Sequence, residues 1–227
     1  KYFINILYDL ENNELKCYIT FLIYKLRYLK NFPIILEVFV DFLLKRCSIN
    51  KILSNLLFWE LTFSAKDVEY QKFYSSIRKK LVNMLDIETK NLFLNGYDFT
   101  RNITEIVEAS NNIKDDLLKH LHENDYFCNN EFRLPINFDR KFIRINTNKI
   151  KIFNSKTKPV IFPCVYKDSN SNEQEYKIMI KNEDIRKEYV IMNLINLMDI
   201  FLKKDVGLDL NITKYNILPI SNEYGYI

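Results

Sequence analysis

The sequence predicts an α + α/β protein, an antiparallel helical array followed by a small lobe of strands with one main helix. Three observations predict it. Over residues 1 to about 125, apolar side chains recur every three to four positions, the period of a helix with one buried face. From about 138 onward, short β-branched and aromatic runs separated by turn residues take over. A single long helical stretch, 184–203, interrupts those runs.

Each element has its own signal. Leu15, Tyr18, Ile19, Leu22, Leu26 and Leu29 form a helical stripe that Asn31-Phe-Pro33 breaks. Leu36, Phe39, Val40, Leu43 and Leu44 form a second. Ser48 and Asn50 are candidate caps, and Ile52, Leu53, Leu56, Leu57 and Trp59 belong to a third helix. Val68, Phe73, Ile77, Leu81 and Met84 mark a fourth, and a long polar helix is expected from about Ile103 to His122.

Around 124–138 the texture changes. Asn124-Asp125 and Asn129-Asn130 are turn material, and Leu134-Pro135 starts an extended segment. Strands follow at Phe142–Ile145, Ile150–Phe153, Val160–Val165 and Tyr176–Ile180. Asp168–Asn172 is the turn of an antiparallel hairpin. The helix at 184–203 is expected to carry Asn193, Asn196, Asp199 and Lys203 on its outer face, and Gly207 ends it. Two short strands, Lys214–Leu218 and Gly225–Ile227, complete the chain as given. It reads as a fragment, since it starts with Lys and its last residues look like a strand cut short.

Composition narrows the function classes. The 227 residues are 48% hydrophobic, enough for a core. The net charge of +4 is spread along the chain, which argues against nucleic acid as a partner and suits a solvated or anionic lipid surface. Cys17, Cys47, Cys128 and Cys164 form no CxxC pair, so they read as reduced structural thiols of an intracellular protein. His120 and His122 lie two apart on an expected helix and point in different directions, which excludes a zinc pair or catalytic dyad there. No segment has the roughly 20 uninterrupted apolar residues of a membrane span.

The segment Tyr176–Tyr189 carries the sharpest chemistry. On its strand Tyr176, Ile178 and Ile180 point one way, and Lys177, Met179 and Lys181 the other. After a short turn, Glu188 shares a helical stripe with Ile191, Ile195 and Met198. A carboxylate on an apolar face needs a charge partner, and Lys181 and Glu188 meeting around a phosphate would satisfy both. The hairpin loop Phe153-Asn-Ser-Lys-Thr-Lys-Pro159 precedes them. Ser155 offers an N–H and a hydroxyl, Lys156 and Lys158 add charge, and Met179 can wall an adenine. The loop has no glycine, so it does not fit the protein-kinase glycine-rich loop. Read singly, Lys181 is as well explained as a solvated charge, Glu188 as a structural ion-pair member and Tyr215 as a core tyrosine.

The order of elements resembles the phosphatidylinositol 3-kinases. That family has a basic, glycine-free phosphate loop, a strand ending Ile-Phe-Lys and a helix start Asp-Asp-Leu-Arg-Gln-Asp. Here stand Met-Ile-Lys181 and Glu183-Asp-Ile-Arg-Lys-Glu188. Gly207-Leu-Asp-Leu-Asn-Ile-Thr-Lys-Tyr-Asn-Ile-Leu218 is similar to the family's Asn-Leu-Asp-Leu-x-Leu-x-Pro-Tyr-x-x-Leu, a wording that favours the class III type. Phe42–Asn50 and Leu56–Trp59 resemble its helical accessory domain, and Leu134-Pro-Ile-Asn137 the linker into its kinase domain. The glycine expected before Glu183 is missing, Lys187 replaces a glutamine, and Glu188 replaces an aspartate.

The resemblance implies three parts: 1–125 from the helical accessory domain, 126–148 a linker and first strand, and 149–227 the N-lobe of a kinase-like fold. It implies ATP binding by Lys181, Ser155, Phe153, Pro159, Met179, Glu188 and Tyr215, with Lys181 on the phosphates and Glu188 beside Tyr215 deep in the pocket. It implies Mg²⁺ or Mn²⁺ as co-ion, with the family's catalytic and metal-binding motifs downstream of residue 227, so no catalytic residue or metal ligand is named within the chain. The implied parent phosphorylates the 3-hydroxyl of phosphatidylinositol in endosomal trafficking and autophagy. It would be cytoplasmic and peripheral on endosomal or autophagic membranes, with a protein-kinase-like regulatory subunit and no nucleic acid. The alternatives are an inactive kinase-like scaffold, a helical interaction protein and, more mildly, a phosphatidylinositol 4-kinase.

Overall fold

The computed structural model describes residues 2–109, 116, 119 and 131–227. The chain divides into two compact units, Lys1–Asp86 with Ile185–Asn222, and Ile87–Asp184 with Glu223–Ile227. These units do not follow linear boundaries at 125 and 148.

The first unit is helical: α1 (Tyr2–Asp9), α2 (Asn12–Leu29), α3 (Pro33–Ser48), α4 (Lys51–Ser64), α5 (Gln71–Met84) and the later helix α7 (Arg186–Phe201). The starts and stops have local causes. The Glu11 N–H donates to Glu14 Oε2 at 2.8 Å, closing the first turn of α2. Pro33 opens α3, where its missing N–H costs nothing. The Asn50 side chain caps α4 by accepting from the N–H groups of Ile52 and Leu53. Leu15, Ile19, Leu22, Ile23 and Leu26 of α2 pack with Phe42, Leu43, Leu57 and Tyr74 in one apolar core. In α5 the buried stripe is Tyr74, Ile77 and Leu81, while Val68 and Met84 are exposed.

The second unit pairs α6 (Ile87–Ala109) with strands. The helix expected from Ile103 therefore begins sixteen residues earlier, at Ile87. The rest of its expected span, with both histidines and Cys128, lies largely outside the described residues. β1 (Phe132–Leu134) and β2 (Asn137–Phe142) form a hairpin, so Leu134 ends a strand and Pro135-Ile136 is the turn, rather than Leu134-Pro135 starting an extended segment. β5 (Val160–Lys167) and β6 (Glu173–Lys181) are the long antiparallel pair. Their turn is locked by Asp168, whose Oδ1 accepts from the N–H groups of Asn170 and Asn172. β3 (Arg144–Ile145) and β4 (Lys151–Ile152) both pair with β5, and β8 (Gly225–Tyr226) pairs with β6. Phe99 of α6 stacks on Phe132 at 5.5 Å, and Phe142, Phe162 and Tyr226 fill the core around them. β7 (Leu218–Pro219) belongs to the helical unit.

Helix α7 corrects the sequence reading. Its buried face is Tyr189, Met192, Asn193 and Asp199. Ile191, Leu194, Met198 and Phe201 are exposed, Met198 by 61%. Of the polar residues expected outside, Asn193 and Asp199 are buried, Asn196 is half-buried and Lys203 is exposed; Asn193 donates to Thr20 Oγ1, and Asp199 is held by Lys203 and Lys214. The helix runs into a π turn at Leu202–Val206 that Gly207 ends with φ 71°, a left-handed conformation glycine adopts freely.

Candidate functional site

Strand register assembles one face of the sheet from separated positions. Residues directly opposite in an antiparallel pair share a face. Lys151 lies opposite Ile161, and Ile161 opposite Met179. The Phe153 N–H donates to the Pro159 carbonyl at 3.0 Å, which extends that register to Phe153 opposite Pro159. Met179 and Ile227 exchange both backbone hydrogen bonds, at 2.8 and 2.9 Å. Strand alternation then puts Phe153, Pro159, Ile161, Met179, Ile227 and Lys181 on one face, neither fully buried nor fully open. The opposite face, with Val160, Phe162, Ile178, Ile180 and Tyr226, is core. Four of the sequence-predicted residues are therefore brought together: Phe153, Pro159, Met179 and Lys181. Ile161 and Ile227 were missed; period-2 alternation could have found Ile161, whereas Ile227 needed the β6–β8 pairing.

Lys181 closes its strand, and its Nζ lies 2.7 Å from Glu183 Oε1. Glu183, two residues on, is thus an acid partner of the lysine within this unit. Glu188 lies in the other compact unit, on the first turn of α7. Tyr215 shares that unit and is 47% exposed.

The loop between β4 and β5 crosses the same end of the sheet as Lys181, since Val160 opens β5 opposite Ile180. The Ser155 N–H, expected to face a phosphate, instead donates to the Phe153 carbonyl at 3.0 Å. Its hydroxyl remains exposed. The N–H groups of Lys156 and Thr157 meet no protein acceptor among the described residues. Lys158 has φ 40°, a left-handed conformation that a glycine would hold at lower cost. The glycine-free loop thus presents two amide donors and two lysine side chains to solvent.

The helical unit holds a second polar cluster that the sequence reading missed. Glu60 on α4 is buried; Thr20 Oγ1 donates to its Oε1 at 2.7 Å, and the Tyr189 hydroxyl also hydrogen-bonds it. Burial pushes the Glu60 carboxyl above its ordinary range, against the pull of the two hydroxyls. Burial also pushes Tyr189 well up. The hydrogen bond from Lys214 holds Asp199 below the usual carboxylate range. The available signal was a polar residue at Asn193, Asn196 and Asp199 on one stripe of α7. Nothing in the sequence distinguishes such a stripe from a solvated one. Cys47 and Cys164 are buried free thiols, and burial lifts Cys47 to about 12, so neither is poised to react.

Among the described residues no three His, Cys, Asp or Glu side chains group to hold a metal ion, and no helix is long and apolar enough to cross a membrane. No family model matches the chain. Among curated proteins it is similar to phosphatidylinositol 3-kinase VPS34 of Saccharomyces cerevisiae, 25% identical over 213 residues, covering 87% of this chain and 23% of that protein. It is 23% identical over 209 residues to phosphatidylinositol 3-kinase VPS34 of Candida glabrata, covering 88% of this chain and 23% of that protein. It is 25% identical over 203 residues to phosphatidylinositol 3-kinase pik3 of Schizosaccharomyces pombe, covering 82% of this chain and 24% of that protein. The resemblance to phosphatidylinositol 3-kinases drawn from the motifs agrees with the names of these relatives, of which the chain spans about a quarter of the length.

Proposed function

We propose that the chain is the helical-domain end and N-lobe of a class III-type phosphatidylinositol 3-kinase. The parent would phosphorylate the 3-hydroxyl of phosphatidylinositol on endosomal or autophagic membranes. One observation carries this reading: Lys181 shares a half-open sheet face with Phe153, Pro159, Ile161, Met179 and Ile227, at the end of the sheet that the amide-bearing loop crosses. An adenine needs flat apolar walls, and a triphosphate needs cations and amide donors at one edge of them. This face supplies both.

ATP would supply the γ-phosphoryl group. Within the chain, the walls orient the nucleotide and hold water off its base. The Lys181 ammonium, aimed by Glu183, places fixed charge where phosphate oxygens would lie. The amides of Lys156 and Thr157 and the Ser155 hydroxyl add donors that need no side-chain reorganisation. No catalytic base or metal ligand is assigned to this chain. The fit is therefore to nucleotide binding and positioning, with Mg²⁺ or Mn²⁺ ligands and the attacking-hydroxyl chemistry placed elsewhere in the parent.

The test is crosslinking of labelled ATP to the full-length parent, with and without Lys181→Met, beside transfer to phosphatidylinositol vesicles and headgroup analysis of the product. The proposal expects 3-phosphorylated product and at least a hundredfold loss of transfer in the variant. Equal transfer by both forms would remove Lys181 from this role, and a 4-phosphorylated product would move the parent to the 4-kinases.

A further inference from the structure

The helical unit contains a cavity of about 410 Å³, walled by α2, α4, α7 and β7. That volume falls within the ~300–1,000 Å³ of small-molecule sites. An apolar cavity of ~150 Å³ already takes benzene, so this one has room for a fused or linked ring system. Trp59 and Leu218 line its buried part, and Phe21, Phe63 and Val190 its half-buried part, so the space deepens from the surface into the core. Three charged side chains also line it, and each is already engaged. Glu60 is held by the hydroxyls of Thr20, at 2.7 Å, and Tyr189. Arg27 donates to Asp67 and to the Tyr74 hydroxyl, both at 3.1 Å. Arg186 lies over the Phe63 ring at 5.7 Å and has a further partner. A charged ligand would have to break one of these pairings to gain a counter-charge, or stay unpaired against apolar walls. A neutral ligand leaves all three intact.

We propose that this cavity binds a neutral, planar aromatic molecule, its rings against Trp59 and Phe63. Aromatic walls favour a flat ring system over a flexible chain, since ring contacts add to simple burial. The engaged charges set the second preference, for a neutral body over an ionised one of equal size. The lining residues are distinct from the Lys181 face, so the cavity can bind whether or not the chain holds a nucleotide.

Trp59 is the sole tryptophan of the chain, so the cavity carries its own reporter. The experiment titrates the full chain with N-phenyl-1-naphthylamine and, separately, with 1-anilinonaphthalene-8-sulfonate, which has the same rings with an acid added. Excitation of Trp59 reads energy transfer to either probe. The expected result is saturable one-to-one transfer to the neutral probe, with the sulfonate bound roughly tenfold more weakly. Val190→Phe, which narrows the cavity from its half-buried side, should weaken the neutral probe roughly tenfold. Should that variant lose its cooperative melt, Phe63→Ala removes an aromatic wall and should weaken the probe roughly fivefold. Absence of saturable transfer in the unaltered chain overturns the proposal. So does a sulfonate bound as tightly as the neutral probe, or neutral-probe binding that the folded variants leave intact.

Discussion

Glu183 and Glu60 each hold a polar partner, in opposite surroundings. Glu183 meets Lys181 at a half-open strand end, where solvent reaches both groups and the ion pair is easily exchanged for another anion. Glu60 meets Thr20 and Tyr189 inside the helical unit, where the carboxyl and the Tyr189 ring are buried. The difference separates groups available to a ligand from groups that hold the scaffold. A strand-end lysine whose acid Glu183 is partly exposed can turn to a phosphate. A buried carboxylate with two hydroxyls cannot leave without stranding both.

The largest expected effect would break this comparison at the sheet. Lys181→Met in the full-length parent should cost at least a hundredfold in phosphoryl transfer, yet move the melting temperature little, because Lys181 ends its strand and its ion pair with Glu183 is partly exposed. A large drop in melting temperature would make Lys181 scaffold after all. Next comes the reversed face of α7. Asn193→Lys should destabilise by about 2–3 kcal/mol, since it puts a charge where an amide is buried. Ile191→Lys, two residues away on the exposed face, should stay within about 0.5 kcal/mol. Urea midpoints of the two variants test this directly, and equal costs would put the polar stripe back on the surface.

Glu60 sharpens the comparison through pH. Its carboxyl is raised in the folded state by burial, so the folded protein holds that proton more tightly than the unfolded chain. Its contribution to stability is then full below the ordinary glutamate range and falls as pH rises through the folded value. The gap between the wild-type chain and Glu60→Gln should therefore shift in favour of the variant on going from pH 4 to 7. Denaturant midpoints that move in parallel across that range would refute it. The smallest effect is local: Asn50→Ala should cost about 1 kcal/mol through loss of the α4 cap, read as a modest fall in melting temperature with nucleotide binding unchanged.

The helices and strands were legible where one rule decided each. Pro33 and Asn50 set helix starts, Asp168–Asn172 set a turn, and alternation on β6 put Met179 and Lys181 on one side. Half of the candidate site was legible for the same reason, since residues two apart on a strand share a face whatever surrounds them. Ser155 was read as a free amide donor because its sequence cannot show that the N–H closes onto Phe153. Glu188 could be placed on a helical stripe by its spacing, which shows which residues share a stripe, not which stripe is buried.

By itself, then, the sequence determined periodicity, punctuation and family likeness: helices first, strands after, and a lysine at the end of one strand. These follow from local sterics and hydrogen bonding within a few residues. Only the tertiary structure decided that α7 turns its polar stripe inward, that Glu60 and Tyr189 pair across α4 and α7, and that Ile227 completes the wall beside Met179. The physical reason is that burying a polar stripe is unfavourable alone and acceptable only when partners from distant parts of the chain satisfy it. For Asn193 that partner is Thr20, 173 residues away, which no window of sequence around α7 contains.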